Sequence, residues 1–223
     1  MMLLVHVPHA ATRIRREDRA DFLLDYDTLQ REFPRLTDWY TEELFTVELP
    51  SSDVIRAHVS RPVVDVERFA DDTAERCSAV GMAANCTRTA DGAVIRFLDA
   101  AWREALVQRY FWPHHRRLDG DAAATPLAKH GRCVILEAHS FPTVLLPTQA
   151  IVDHVPEIGI GTDALHTSKP LCDFAEKCFR ARGFSAGVNI PFSGTLVPNA
   201  LHESTARVES VMTNVRSEYA IGL

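Results

Sequence analysis

Three segments of the 223-residue chain place histidine or aspartate beside a predicted structural element. His9 follows the apolar run Met2–Val7, and His139 lies at the end of the apolar run that begins at Cys133. Asp38 directly follows Thr37, which we predict to cap a helix over 37–47. Two imidazoles and a carboxylate suit Zn²⁺ and leave a fourth position for water, which zinc makes more acidic. Because no HExxH motif is present, these three ligands must converge through the fold.

Two further groups of charged residues lie near these candidates. Glu137 and His139 are two apart in a predicted strand, so both side chains face the same side of the sheet. The segment 60–68 carries Arg61 and Arg68 around Asp65 and Glu67, and guanidinium groups bind carboxylates in a bidentate manner. We interpret this segment as a pocket for an acidic substrate, with an internal salt-bridge network as the alternative.

The remaining candidates are His114 and Asn189. His114 and His115 follow Pro113, and neighbouring residues on a helix diverge by about 100°, so the two imidazoles do not share one metal. We expect His114 to contact the substrate, with a surface pair as the alternative. Asn189 begins a turn-forming loop that we expect at the rim of the site. The chain contains neither a nucleotide-binding glycine motif nor a G-x-S-x-G elbow, which disfavours nucleotide binding and serine hydrolysis.

The order of predicted elements indicates the fold class. Apolar strands alternate with amphipathic helices, and polar residues collect at the strand ends. This alternation predicts one three-layer α/β domain over 1–223, with its site outside the carboxyl ends of the strands. Strands are expected at Met2–Val7, 54–59, 62–66, 133–136, 158–160, 185–189 and 206–215.

Composition limits the class of partner. The chain has 24 Lys and Arg against 30 Asp and Glu, a formal charge of −6, and 46% apolar residues. We expect no nucleic-acid partner from this mildly acidic balance, and no membrane span or secretory signal from the apolar pattern. The five cysteines form no CxxC pair, which favours reduced thiols and a cytoplasmic protein.

Several segments, in this order, resemble the N-formylglutamate amidohydrolase family. They span nearly the whole chain and consist of His6-Val-Pro-His9-Ala10, Thr37-Asp38 with Leu44, Ser60-Arg61 with Val64-Asp65-Val66-Glu67-Arg68, Tyr110 with His114-His115, Ala138-His139-Ser140-Phe141, Ile158-Gly-Ile-Gly161-Thr162-Asp163, and Asn189 with Pro191-Phe-Ser-Gly194.

The resemblance implies a fold similar to zinc-dependent exopeptidases, with a mixed, mostly parallel sheet flanked by helices. It implies hydrolysis of a small N-acyl amino acid, with N-formylglutamate giving formate and glutamate, as in amino-acid degradation and histidine catabolism. By the same resemblance His9, Asp38 and His139 become zinc ligands, although another divalent metal is an alternative. Arg61 and Arg68 become contacts for the substrate or the oxyanion.

The C-terminal segment departs from the family pattern. Where a strand carboxylate is expected as general base, the alignment places Thr213. We therefore expect Glu137 or Glu209 to move the proton, with Glu203 as a further nearby acid. Two rival functions remain open: a zinc amidase of another N-acyl or peptidoglycan-type substrate, and a degenerate family member that binds ligand without turnover. The sequence leaves the oligomeric state open.

Overall fold

The computed structural model describes residues 2–120, 125–145, 154–202 and 204–220. Six strands form one sheet within these residues: β1 (Met2–Val7), β2 (Val54–Arg56), β3 (Cys133–Phe141), β4 (Ile158–Gly161), β5 (Ala186–Val188) and β6 (Val208–Arg216). Their order is β2-β1-β3-β6-β4-β5. Neighbouring strands are parallel except β4 and β6, which are antiparallel. The predicted α/β fold with a mixed, mostly parallel sheet is confirmed.

Helices connect the strands. They are α1 (Arg16–Arg19), α2 (Tyr26–Glu32), α3 (Thr41–Thr46), α4 (Ala100–Leu106), α5 (Trp112–Leu118), α6 (Thr125–His130), α7 (Lys169–Arg180) and α8 (Ser217–Ala220). A π-helical turn over Val107–Phe111 joins α4 to α5, and 3-10 helices span Phe33–Leu36, Ser51–Asp53 and Arg76–Val80. Asp99 begins α4 and Ser168 begins α7, each accepting a backbone hydrogen bond from the first turn, as expected of N-cap residues.

Alternate side chains of the sheet pack against different layers. On one face, Leu4 and Ile135 pack with Leu118 of α5. On the other face, Val5 and Val7 pack with Phe45 of α3, and the strands β4 and β6 pack there with α7. The sheet therefore lies between two layers. Because β3 alternates, Glu137 and His139 continue the face that carries Ile135.

The strand predicted over 62–66 is wrong, since this segment forms turns. The buried guanidinium of Arg96 donates to the carbonyl oxygens of Pro62 and Val63, each over 2.9 Å, and over 2.6 Å to that of Cys86. These carbonyl oxygens are therefore satisfied by a side chain and not by a neighbouring strand.

The predicted helix start at Thr37 is also wrong. Thr37 ends the 3-10 helix Phe33–Leu36, and α3 begins only at Thr41. Tyr40 precedes α3 in the left-handed region, with φ of 63°. This turn separates Asp38 from the helix and leaves its side chain available to the strand ends.

No helix among the described residues is long and apolar enough to cross a membrane. All five cysteines are free thiols.

Candidate active site

Neighbouring parallel strands carry the two imidazoles proposed as ligands. His9 follows β1, His139 lies near the carboxyl end of β3, and these strands pair with each other. The backbone N–H of Asp38 donates to the carbonyl oxygen of His9 over 3.1 Å. A loop residue is thus fixed beside the edge where parallel strands end, the usual position of a site in an α/β sheet.

The three side chains converge. His139 Nδ1 lies 2.7 Å from Asp38 Oδ2, and His9 Nδ1 lies 3.6 Å from the same oxygen. One ligand atom from each residue lies within 4.8 Å of the others, so the set could hold a metal ion. All three residues are buried, with exposures of 2% for His9, 8% for Asp38 and 4% for His139.

Two features of this cluster fit a cation. His9 Nδ1 is buried without a hydrogen-bond partner among the described residues, while His9 Nε2 lies 2.9 Å from Asp65 Oδ1. An imidazole that faces a carboxylate through one nitrogen and leaves the other free is arranged as metal-binding histidines usually are.

Further carboxylates surround the imidazoles. Glu67 lies 3.3 Å from His9 Nε2 and 3.8 Å from His139 Nε2. Glu137 Oε1 lies 3.7 Å from His139 Nε2. Two other ligand sets are therefore possible, one of His9, Asp65 and Glu67 and one of Glu67, Glu137 and His139.

The electrostatics of the cluster show an excess of negative charge. Burial alone would lower the pKa of His139, but the carboxylates of Glu67 and Asp38 raise it well above its usual value. Burial would likewise raise the pKa of Asp38, but the hydrogen bond from His139 and the neighbouring imidazole of His9 hold it well below its usual range. Four carboxylates face two guanidinium groups here (Asp38, Asp65, Glu67 and Glu137 against Arg61 and Arg68). With neutral imidazoles, a divalent cation balances this charge.

Asp65 organises the segment 60–68. Its fully buried carboxylate accepts from Arg61 Nε over 2.8 Å and from the backbone N–H of Glu67 over 3.0 Å, and it lies 3.5 Å from Arg68 Nε. Burial would raise the pKa of Asp65, but His9 and Arg61 hold it well below its usual range. One carboxylate therefore orients an imidazole and two guanidinium groups.

A cleft of about 440 Å³ opens over the cluster. His9, Asp38 and His139 line it together with Glu67 and the arginines at 35, 61, 68 and 76. The internal salt-bridge network is present in the segment 60–68, and Arg61 and Arg68 also line the cleft, so the pocket for an acidic substrate stays a prediction.

Arg35 and Arg76, the cleft arginines outside the segment 60–68, differ in their partners. Arg35 makes a bidentate ion pair with Asp91, at 2.5 and 2.9 Å, and a further contact to Glu32. Arg76 is exposed and has no ion pair or hydrogen bond within the described part of the chain. Its guanidinium is available to a ligand carboxylate.

Of the acids expected as proton carriers, Glu203 lies outside the described residues, and neither Glu137 nor Glu209 lines the cleft. Glu137 is fully buried, accepts from the backbone N–H of Leu196 over 2.6 Å and does not line the cleft. Glu209 pairs in register with Val134, whereas His139 pairs with Asn214 at the other end of the strands. Glu209 also forms an ion pair with Arg132 on the opposite face, so the structure does not bring it to the cluster.

His114 and Asn189 are not brought to the cluster either. His114 lines a second cleft of about 260 Å³, and its Nε2 lies 2.8 Å from Nε2 of His6. Asn189 is exposed and accepts from the backbone N–H of Thr162 over 3.0 Å, which joins the ends of β4 and β5. Its neighbours Pro191 and Phe192 line the larger cleft.

Sequence reasoning assigned no ligand or catalytic role to Asp65, Glu67 or Asn214. The compact alternation of charges over 60–68 was the available signal for the first two. Strand alternation shows only that Asn214 and Thr213 face opposite layers, and the structure shows that Asn214 faces the cleft.

The fold and cluster define a three-layer α/β protein with a histidine and carboxylate site at the carboxyl ends of its parallel strands. The sequence model of the N-formylglutamate amidohydrolase family matches residues 1–220. The chain belongs to the N-formylglutamate amidohydrolase family, and so to a family of hydrolases.

Two solved structures share the fold. An N-formylglutamate amidohydrolase from Ralstonia eutropha JMP134 has a TM-score of 0.79 at 17% identity, with 97% of this chain and 82% of that chain covered. A gene product of Agrobacterium tumefaciens has a TM-score of 0.65 at 20% identity, with coverage of 97% and 81%. A comparison with curated protein sequences gives no significant match.

Proposed function

We propose that this chain is a zinc-dependent hydrolase that cleaves the amide bond of an N-acyl acidic amino acid such as N-formylglutamate. The convergence of His9, Asp38 and His139 beneath a cleft lined by arginines carries the proposal. Membership of the family supports the substrate class. Five free thiols fit a cytoplasmic location.

His9, Asp38 and His139 would hold the metal, since their ligand atoms lie together and His9 Nδ1 has no other described partner. A divalent metal in such a site supplies Lewis acidity, which polarises a carbonyl oxygen and makes water more acidic. Asp65 fixes the ring of His9 from behind through Nε2. Glu137 lies behind His139 in the same way and acts as a positioning residue.

Glu67 would be the general base. Asp38 and Glu67 are the carboxylates that line the cleft among the described residues, and Asp38 is taken as a ligand. The Glu67 side chain is 16% exposed, so it can reach both the cluster and a molecule in the cleft. Glu67 would take a proton from the attacking water and deliver it to the leaving amine nitrogen while the C–N bond breaks, giving formate and the free amino acid.

Arg61 and Arg68 would hold the anionic groups of the substrate. Each directs its Nε toward Asp65 and lines the cleft, and Nη2 of Arg68 also lies 3.9 Å from Glu67. Burial alone would lower the pKa of Arg61, but Asp65 raises it, so the charge is retained. Arg68 would thus hold a carboxylate or the developing oxyanion.

Formate release from N-formylglutamate tests the proposal. Chelation should abolish the activity and added Zn²⁺ should restore it. We expect Glu67→Gln to lower kcat about 100-fold or more, a typical effect of losing a general base. Glu209→Gln should stay within about twofold of the wild type, because Glu209 lies on the opposite face.

Other outcomes separate the rival functions. Zinc binding without hydrolysis of any formyl amino acid would support a protein that binds ligand without turnover. Faster hydrolysis of larger N-acyl or peptidoglycan-type substrates would support the broader amidase. Equal loss of activity in Glu67→Gln and Glu209→Gln would contradict the assignment of Glu67.

A further inference from the structure

Asn214 presents a buried amide to the cleft. The residue is 4% exposed, lines the cleft and pairs in register with His139. Its Nδ2 is buried and makes no hydrogen bond with any residue that the structure describes. Because an unmade hydrogen bond lowers stability, buried amide groups normally have partners. An unpaired amide facing a cleft therefore points to a ligand atom that completes it.

A close approach of two backbone segments lies beside Asn214. On the side of β4 it pairs with Gly159, which has no side chain. A Cβ at Gly159 would lie 2.9 Å from the carbonyl oxygen of Ile190 and 3.5 Å from the Cβ of Asn214. The absence of a side chain at Gly159 thus lets the loop at Ile190 lie close beside Asn214.

We propose that Asn214 is a catalytic residue that donates a hydrogen bond from Nδ2 to the acyl oxygen of the bound substrate. This assignment rests on the proposed function. When water adds to the acyl carbon, the acyl oxygen gains negative charge. A donor already fixed in a strand stabilises that charge more strongly than it stabilises the neutral carbonyl group. Asn214 keeps its proton throughout, so the transfer from water to the leaving amine is unchanged.

Asn214→Leu tests the assignment, because leucine has the same number of side-chain heavy atoms and the same branching without polar atoms. We expect kcat for N-formylglutamate to fall about 100-fold, as for other oxyanion donors. KM should stay within about threefold and zinc content should not change, because the amide acts mainly in the transition state. The thermal unfolding midpoint should be unchanged or higher, since an unpaired buried amide is removed.

Thr213→Val is the matched control. Thr213 precedes Asn214 in β6, is 1% exposed and has a buried Oγ1 without a partner among the described residues. It pairs with Ala138 and Ile160, on the face away from the cleft. Thr213→Val should therefore affect the unfolding midpoint as Asn214→Leu does and leave kcat unchanged.

Wild-type kcat in Asn214→Leu would overturn the assignment, and so would a loss of kcat that accompanies lost zinc or a lower unfolding midpoint. If Asn214→Leu does not fold, Asn214→Ala takes its place with the same expected loss of kcat. If the wild type releases no formate, the proposed function fails, and calorimetry with N-formylglutamate decides the role of Asn214. Asn214→Leu should then bind about tenfold more weakly than Thr213→Val, and equal affinity would overturn the assignment.

Discussion

Acid should weaken the fold through His115, a buried imidazole that holds the loop between Asp65 and Glu67. His115 Nε2 donates to the carbonyl oxygen of Val66 over 2.8 Å, and the amide of Asn199 donates to Nδ1 over 3.2 Å. The residue is 1% exposed. Both ring nitrogens are thus used by the neutral form, and a second proton would displace the amide donor.

Burial lowers the pKa of His115 from 6.5 to about 4. Between these two pH values the unfolded chain binds more protons than the folded chain, so stability falls as the pH falls. The stability that the neutral form of His115 contributes is complete above pH 6.5 and is lost progressively toward pH 4. For this shift, lowering the pH from 7 to 5 removes about 2 kcal/mol from the free energy of unfolding.

Urea unfolding at pH 7 and pH 5, for the wild type and for His115→Gln, measures this effect. Between pH 7 and pH 5, the free energy of unfolding should fall by about 2 kcal/mol more in the wild type than in the variant. His114 also has a pKa well below its usual value because of burial, but it is present in both proteins and cancels. An identical pH dependence in the two proteins would refute the reasoning.

Three further substitutions test the site and its supports. Asp65→Asn should lower both zinc affinity, measured by chelator competition, and kcat/KM about 10- to 100-fold, because Asp65 orients His9 and Arg61; unchanged values would contradict this role. Arg96→Met should lower the free energy of unfolding in urea by about 2–4 kcal/mol, since three buried carbonyl oxygens lose their donor; a loss below about 1 kcal/mol would argue against it. Arg76→Met should lower kcat/KM for N-formylglutamate about tenfold and leave kcat/KM for N-formylglutamine unchanged, because only the first substrate carries a side-chain carboxylate. An equal fall of kcat/KM for both substrates would contradict the availability of Arg76.

Elements with regular apolar patterns could be predicted from the sequence. The first strand lies at Met2–Val7 as expected, and the last strand, Val208–Arg216, falls close to the predicted 206–215. Both are buried over most of their length, so their residue types directly reflect their surroundings. Apolar residues at Leu171, Phe174, Ala175, Cys178 and Phe179 follow helical spacing, and all five lie in α7.

The parts that depend on distant partners could not be predicted. Residues 62–66 have the composition of a strand, but Arg96, far along the chain, takes their carbonyl oxygens. The proton-carrying acid was sought in the last strand, where the family resemblance places Thr213. Strand alternation alone does not tell which face of the sheet carries the cleft, so Asn214 became evident only from the packing of both layers.

Zinc content measured by mass spectrometry tests the central claim most directly. The wild type, loaded with Zn²⁺ and dialysed against metal-free buffer, should retain about one zinc per chain. His139→Ala should retain less than about a tenth of that amount, because a three-ligand site loses a ligand, whereas His130→Ala, at an exposed position, should match the wild type. A wild type without bound zinc, or full retention in His139→Ala, would contradict a metal held by His9, Asp38 and His139.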